Sequence, residues 1–350
     1  MANFRSDNES PVAEPIMQAL LACNRGSAHA YGDDHWTDQL NQRLQEVFET
    51  SLRVLPLSTG TAGNSIALAE LCPPWGGVLC HDHAHIHSDE CGAPEFYNPG
   101  CKLVPVAGEE GKLNVETLAE TLSRYGSHGV HEILPSAISL TQSTESGTVY
   151  SVAEIEAISA LAKSHGLGMH MDGARFGNAV AGLNCHPADI TWRAGIDMLT
   201  FGASKNGAMA AEAVILFGDD ESTQQRWHGL ERRRKRAGHL LSKMRYTSTQ
   251  LLAYVENNLW LELASNANGQ AQRFAQAVID HPQASLAYPV QANEVFLRLP
   301  EAQLLAMQSL GQEFHLWPGA KDLARLVFSH NTSDDDTAAL IASLLQSSES

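Results

Sequence analysis

The sequence predicts an α/β protein with a largely parallel sheet, followed by a smaller C-terminal α+β domain. Two observations favour this class. Segments with helical periodicity alternate with short apolar or β-branched runs along most of the chain, which is typical of a parallel sheet with crossover helices. The chain is also 350 residues long, above the size at which a single hydrophobic core stops growing. We therefore expect one large domain with a smaller appendage.

The elements of the large domain follow from their periodicity and from the turn residues between them. Helical periodicity predicts helices over residues 11–22, 36–50, 64–72, 114–125 and 152–164. Short apolar runs predict strands over residues 53–57, 77–80, 137–141, 167–171, 196–201 and 213–217. We assign these elements to a large domain at residues 1–247.

The pattern changes after Arg245. A long helical stretch at residues 248–280 is followed by a strand at 293–299 and a helix that begins at Glu301. A strand near residues 325–328 and a helix from Asp334 complete the chain. We assign residues 248–350 to a small α+β domain.

Composition and charge exclude several classes of protein. Apolar residues make up 43% of the chain and charged residues 18%, an ordinary globular composition. The net charge of −17 argues against a nucleic-acid or anionic-membrane partner, because phosphate groups attract clustered positive charge. The N-terminus lacks the apolar segment of a signal peptide, and the six cysteines form no Cys-x-x-Cys pair. We expect a cytoplasmic protein with reduced thiols.

Two predicted strands lead into residues that carry acid–base chemistry. Asp172 ends one strand, where a carboxylate needs a cationic partner such as Arg175 or the protonated ring nitrogen of a pyridine cofactor. Lys205 follows the strand at 196–201 among small residues, so its ammonium is poorly solvated and the nucleophilic amine is favoured. Parallel strands bring their carboxyl ends to one edge. An acid and an amine at that edge are what pyridoxal phosphate (PLP) requires.

A glycine-containing turn follows the strand at residues 53–57. The stretch GTAGN begins at Gly60 and leads into a helix. Its glycines allow close approach, Thr61 offers a hydroxyl, and a helix N-terminus presents free amides and a positive dipole end, which favour a phosphate group. An N-capped helix after a tight turn is the structural alternative.

Six motifs in register, from about Phe4 to Phe328, resemble those of the low-specificity L-threonine aldolases and of the similar L-phenylserine aldolases. They are YGDD at 31–34, GTAGN at 60–64, AH at 84–85 with DECGAPEF at 89–96, TESGTVY at 144–150, HMDGARF at 170–176 and SKNG at 204–207. The resemblance implies the PLP-dependent transferase-like fold of type I. That fold has a large, mostly parallel seven-stranded sheet domain and a small C-terminal domain.

The resemblance also implies how the cofactor would be held. Lys205 would carry PLP covalently, and Asp172 would keep its pyridine nitrogen protonated. Gly60 and Thr61 would donate to the phosphate. Within the basic run at residues 232–236, Arg233 or its neighbour Arg234 would reach the phosphate, and a solvated helix face accounts for the other charges.

By the same resemblance, two histidines compete for the role of general base. His85 matches a histidine that stacks on the cofactor ring, and His131 matches one near the substrate hydroxyl. The unperturbed pKa of histidine, near 6.5, suits proton transfer at neutral pH. Glu90, five residues after His85, is a further candidate for this proton network.

The remaining matches concern the substrate and the assembly. Ser6, Arg175 and Arg325 correspond to the groups that hold the substrate carboxylate, Arg175 also lying near the cofactor; a guanidinium can bind a carboxylate with two hydrogen bonds. Tyr31 corresponds to a residue that one subunit contributes to its neighbour's site. We therefore expect a homodimer or homotetramer with shared active sites.

Alternating histidines suggest a rival function. If residues 81–87 are extended, their four histidines point to one face and could bind a transition metal. Local hydrogen bonding is the more common role of such histidines, and we expect no metal. The members of this run are His81, His83, His85 and His87.

The predicted activity is retro-aldol cleavage of L-threonine, L-allo-threonine or L-phenylserine to glycine and an aldehyde. A PLP-dependent β-eliminating lyase or an aminotransferase on the same fold is the alternative within enzymes. A metal-binding protein that uses the histidine run is the alternative outside them.

Overall fold

The computed structural model describes residues 3–347, whose larger sheet has seven strands. In chain order these strands are β1 Leu52–Leu57, β2 Gly76–His81, β3 Lys102–Val106, β4 Leu134–Thr141, β5 Gly168–Gly173, β6 Met198–Gly202 and β7 Glu212–Phe217. Their order across the sheet is β1-β7-β6-β5-β4-β2-β3. Only the pairings of β7 with β1 and β6 are antiparallel, so the predicted mostly parallel sheet is confirmed.

A second sheet of four antiparallel strands is formed by the C-terminal part of the chain, in the order β10-β11-β9-β8. Its strands are β8 Ser285–Leu286, β9 Glu294–Arg298, β10 His315–Leu316 and β11 Leu323–Val327. A separate hydrophobic cluster, which includes Phe274, Leu297 and Phe328, lies under this sheet. The exact domain bounds stay a prediction, and Phe4 joins this second cluster although it lies near the N-terminus.

Thirteen α-helices lie within residues 3–347. They are α1 Glu14–Cys23, α2 His35–Phe48, α3 Gly60–Leu71, α4 His85–Ser88, α5 Ala93–Tyr97, α6 Val115–Leu122, α7 Val152–Ser164, α8 Phe176–Leu183, α9 Glu221–Arg236, α10 Arg245–Val255, α11 Leu259–Ile279, α12 Glu301–Ser309 and α13 Asp334–Ser347. Capping residues determine where several of these helices begin. For example, Ser151 and Glu154 form a capping box at α7, and Asp34 caps α2.

Among the differences between the structure and the sequence prediction, one concerns a divided helix and another an edge strand. The helical stretch predicted for residues 248–280 is two helices, because Asn257 and Asn258 take left-handed conformations with φ of 51° and 59°. Strand β3 was not predicted. It lies at the sheet edge, where Pro105 is tolerated although proline is unfavourable within a central strand.

Within residues 3–347, no helix is both long and apolar enough to cross a membrane. All six cysteines are free thiols.

Candidate active site

A cavity of about 920 Å³ opens where the central strands of the large sheet end. Thr141 at the end of β4, Asp172 near the end of β5 and Lys205 after β6 all line it. Gly60 and Thr61, which follow β1, line the same cavity. The sequence prediction that these strand ends meet at one edge is therefore confirmed. The second sheet closes part of the opposite wall with side chains from β9, β10 and β11.

Asp172 is buried, with 3% of its surface exposed. One carboxylate oxygen accepts a 3.0 Å hydrogen bond from the Ala174 amide, and the other accepts a 2.8 Å bond from Asn64 Nδ2. Arg175 does not pair with it. Among residues 3–347, no cationic side chain lies within 4.0 Å of this carboxylate, so Asp172 can hold a cationic group that enters the cavity.

Lys205 sits in a single turn of 3₁₀ helix after β6. The turn is fixed on both sides of the lysine. The Ser204 amide donates to Glu212 Oε1 at 3.2 Å, and the side chain of Asn206 donates to Tyr254 Oη at 2.8 Å and to the Trp260 carbonyl at 2.9 Å. Within residues 3–347, no carboxylate lies within 4.0 Å of the lysine ammonium. Lys205 is therefore held in the cavity without an ion-pair partner.

The turn before α3 forms a cradle for an anion. The Thr59 side chain accepts from the Ala62 amide at 3.2 Å and so caps the helix. The first amides of a helix have no partner within it, so those of Gly60 and Thr61 are available to a ligand beside the positive dipole end. A side chain on Gly60 would meet open cavity space within 4 Å rather than protein. The helix cap is present and leaves these two amides free, so the two alternatives of the sequence do not exclude each other.

A chain of hydrogen bonds links the Asp172 carboxylate to an imidazole. Asn64 donates from the same nitrogen to Asp172 and, at 2.9 Å, to Glu90 Oε1. Glu90 Oε1 also lies 2.9 Å from His85 Nδ1. This contact with Glu90 raises the pKa of His85 above its ordinary value, against the effects of burial and of Lys205, while Asp172 acts in the same direction as Glu90. The Glu90 carboxylate therefore stabilises the protonated form of the His85 imidazole.

Glu145 and His83 also lie at this end of the cavity, and neither was a candidate for the general base from sequence. Glu145 Oε1 accepts from the His85 amide at 2.9 Å. Removal from water, with a smaller effect of Asp172, raises the pKa of Glu145 to about 7. Glu145 belongs to the TESGTVY motif, which gave it no role of its own, and His83 belongs to the histidine run, which suggested it only as a metal ligand.

The two arginines of the cavity differ in their partners. Arg175 donates from Nε and Nη2 to Asp7 at 2.7 and 3.0 Å, and its Nη1 lies 3.3 Å from Glu294. Arg325 forms no ion pair within 4.0 Å among residues 3–347, and its Nε is buried without a hydrogen-bond partner. Of the two guanidinium groups, Arg325 is the one whose charge is free for a ligand. Sequence gave no sign of Asp7 and Glu294, since they lie far from Arg175 along the chain.

Ser6 lines the cavity beside these arginines. Its hydroxyl oxygen accepts a 3.2 Å bond from the Asn8 amide and starts a short 3₁₀ turn. The hydroxyl hydrogen is therefore still available to a ligand.

Three predicted site residues do not line the cavity of this chain. His131 is exposed in a short 3₁₀ turn before β4. Tyr31 is 52% exposed, with the Lys235 ammonium 5.3 Å from its ring centre. Arg233 lies on α9 and pairs with Glu70 at 2.9 Å. Its neighbour Arg234 is buried and reaches the Pro56 carbonyl.

The four histidines of residues 81–87 do not share one face. His81 ends β2, whereas His85 and His87 belong to the short helix α4. His81 Nδ1 accepts from the His83 amide at 3.1 Å and its Nε2 lies 3.2 Å from the Gly108 carbonyl, so both ring nitrogens are engaged. Three potential ligands do lie together, namely His81, Asp82 and His83. The premise of an extended run, on which the metal alternative depended, is wrong.

Comparison with known proteins agrees with this geometry. A model of the beta-eliminating lyase family matches residues 3–302 of the chain. The chain belongs to this family. A low-specificity L-threonine aldolase of Pseudomonas aeruginosa is 41% identical over 316 residues, which cover 90% of this chain and 89% of that protein. A second one, from Pseudomonas sp., is 40% identical and covers 97% of this chain and 96% of its own length.

Two solved structures share the fold of this chain. The threonine aldolase of Leishmania major superposes with a TM-score of 0.90 and 26% identity, covering 99% of both chains. Serine palmitoyltransferase of Sphingomonas wittichii, at 14% identity, has a TM-score of 0.72 over 99% of this chain and 86% of its own. The predicted fold-type-I architecture is confirmed, and the metal-binding alternative finds no support in this family.

Proposed function

We propose that this protein is a PLP-dependent carbon–carbon lyase that cleaves L-threonine and L-allo-threonine to glycine and acetaldehyde, and L-phenylserine to glycine and benzaldehyde. One observation carries the proposal. A buried carboxylate, Asp172, and an amine, Lys205, line one cavity with Gly60 and Thr61, and neither has an ion-pair partner within 4.0 Å among residues 3–347. The family to which the chain belongs agrees with this arrangement.

The residues of the cavity fit the cofactor. Lys205 would hold it covalently, and the Asp172 carboxylate would hold the proton on the ring nitrogen. The amides of Gly60 and Thr61 would take the phosphate at the N-terminus of α3. When bound, PLP supplies a sink for the electron pair released at Cα.

The substrate carboxylate would bind at the free guanidinium of Arg325, with the Ser6 hydroxyl as an additional donor. Arg175 keeps two of its five N–H groups after its contacts with Asp7 and Glu294, and these support the same carboxylate. The orientation of the substrate matters because only the Cα bond perpendicular to the cofactor ring can share its electron pair with the ring as it breaks. Two arginines fix that orientation better than one.

The general base would take the proton of the substrate's β-hydroxyl as the Cα–Cβ bond breaks and the aldehyde leaves. His85 is our choice within this chain, because Glu90 holds its Nδ1 and leaves Nε2 free to act. His83 lies at the same cavity and is the second candidate. His131 would take part only from a neighbouring subunit, since it does not line the cavity of its own chain.

The same reasoning supports a homodimer or homotetramer with shared sites. Tyr31 and His131 are exposed in the isolated chain, yet both match residues near the active sites of relatives. We place their contacts, and any contact of Arg233 or Arg234 with the phosphate, across the subunit boundary. The expected compartment is the cytoplasm, where free thiols such as those found here persist.

Product analysis tests the proposed reaction. The purified protein, supplied with PLP, is incubated separately with L-threonine, L-allo-threonine and L-phenylserine. Glycine and the matching aldehyde in equal amounts support the aldol cleavage. Ammonia and a 2-oxo acid would instead indicate β-elimination, and transfer of the amino group would indicate an aminotransferase.

A further inference from the structure

Glu212 occupies a junction of the large sheet that the proposed reaction does not use. It is the first residue of β7, and its Cα pairs with Leu57 of β1 on one side and with Gly202 of β6 on the other. The chain continues from Leu57 into the anion cradle and from Gly202 into the Lys205 turn. Glu212 therefore lies between the two parts of the site, and its side chain lines the cavity.

The carboxyl group of Glu212 is buried and only half satisfied. The residue is 5% exposed, and Oε1 accepts the 3.2 Å bond from the Ser204 amide. Oε2 is buried and has no hydrogen-bond partner within residues 3–347. A buried carboxylate oxygen without a donor is unfavourable, whereas a protonated oxygen can donate to a ligand.

We propose that Glu212 is a positioning residue that holds a proton when the cavity binds the cofactor's phosphate, so that phosphate binding and proton uptake are coupled. This inference rests on the proposed function, since it concerns the same cofactor. Oε1 of Glu212 fixes the Lys205 turn through the Ser204 amide. When Oε2 is protonated, the carboxyl group is neutral beside the anion cradle. When the group is ionised, it repels the phosphate.

The electrostatics of the site support this coupling. Burial raises the pKa of Glu212 to about 7; Ser204 and Lys205 oppose the shift and Asp172 adds to it. The charged group on the β1 side is the Arg234 guanidinium, which donates a hydrogen bond to the Pro56 carbonyl. A bound phosphate adds negative charge and so favours the protonated form further. By linkage, ionisation of Glu212 must then weaken phosphate binding by the same factor.

Calorimetry on the full-length protein, freed of cofactor, tests the coupling. PLP and pyridoxal, which lacks the phosphate, are titrated at pH 7.5 in buffers of different ionisation enthalpy. The wild type is expected to take up about half a proton more with PLP than with pyridoxal. Its affinity for PLP should fall about tenfold between pH 6.5 and pH 8.5 beyond any change seen in Glu212→Gln.

The variants separate Glu212 from the rest of the site. Glu212→Gln keeps a neutral donor and should abolish the extra proton uptake, while Lys205, Asp172 and Arg234 are unchanged. Glu145→Gln is the matched control, because Glu145 lines the same cavity and has a similarly raised pKa but contacts the His85 amide. It should retain the extra uptake.

Two results would overturn the inference. One is equal proton uptake with PLP and with pyridoxal, a result that can be obtained with the wild-type protein alone. The other is unchanged extra uptake in a folded Glu212→Gln protein. Failure of the wild type to bind PLP at all would instead contradict the proposed function.

Discussion

Asn64 donates a 2.8 Å hydrogen bond to Asp172 and, from the same amide nitrogen, a 2.9 Å bond to Glu90. Both hydrogens of the amide are thus used, which fixes its orientation and holds two buried carboxylates at a set separation. Because Glu90 also contacts His85, the proposed holder of the ring proton and the proposed base belong to one connected network. A substitution at the Asp172 end of this network should therefore alter the properties of His85 at the other end.

Replacement of Asp172 with asparagine should retain the bound cofactor but lower kcat by about 100-fold or more. The amide has nearly the same shape, but it carries no charge to keep the pyridine nitrogen protonated. Absorption spectra would measure bound PLP, and aldehyde release would measure turnover. Turnover equal to that of the wild type would contradict the role of Asp172.

Glu90→Gln should shift the acidic limb of the kcat/KM profile to lower pH. Glu90 raises the pKa of His85, so its loss lets the neutral imidazole form at lower pH. Asp89→Asn is the control, because Asp89 lines the cavity and is exposed. Equal shifts in the two variants would mean that general charge, rather than the contact with His85, sets the profile.

Arg325→Gln should raise KM for L-threonine by tenfold or more, since a charge-assisted hydrogen bond contributes roughly 1.5–3 kcal/mol. Among residues 3–347, no carboxylate lies within 4.0 Å of this guanidinium. Arg298→Gln on β9 serves as the control, because Arg298 pairs with Asp322 at 3.0 Å and does not line the cavity. An unchanged KM in Arg325→Gln would assign the carboxylate to Arg175 alone.

His170 should make the fold sensitive to acid. It is fully buried between Ser139 and Thr200, at 2.9 and 3.0 Å, and burial lowers its pKa to about 4, with Asp172 opposing. The unfolded chain, with a pKa near 6.5, binds a proton in this window that the folded chain does not. The free energy of unfolding should therefore fall by roughly 3 kcal/mol from this group as the pH drops from 6.5 to 4.

Denaturant unfolding at several pH values would measure this dependence. His170→Gln has no titrating ring, so its unfolding free energy should depend less on pH between 6.5 and 4. A slope as steep as that of the wild type would show that other groups cause the acid sensitivity.

The fold class and the positions of six of the seven strands of the large sheet could be predicted, because apolar runs and turn residues are local signals. Edge strand β3 was missed because Pro105 obscures its alternating pattern. The break at Asn257 was missed because it depends on a left-handed backbone conformation, which asparagine tolerates but does not require. The bend at residues 85–88 was missed for a different reason. Alternating histidines match a strand, but α4 turns away from β2 at that point.

Within the site, sequence could locate Asp172 and Lys205 because each follows a recognisable strand. It could not show that Arg175 is already paired, since Asp7 and Glu294 approach it from distant parts of the chain. It also could not reveal the role of Asn64, whose two bonds exist only once α3 packs beside β5.

The most direct test of the account is chemical trapping of the cofactor on Lys205. The PLP-loaded protein is treated with borohydride, digested and analysed by mass spectrometry. We expect one reduced pyridoxyl phosphate group per chain, on the peptide that contains Lys205, and none in Lys205→Ala. Modification of another lysine, or of none, would contradict the central claim.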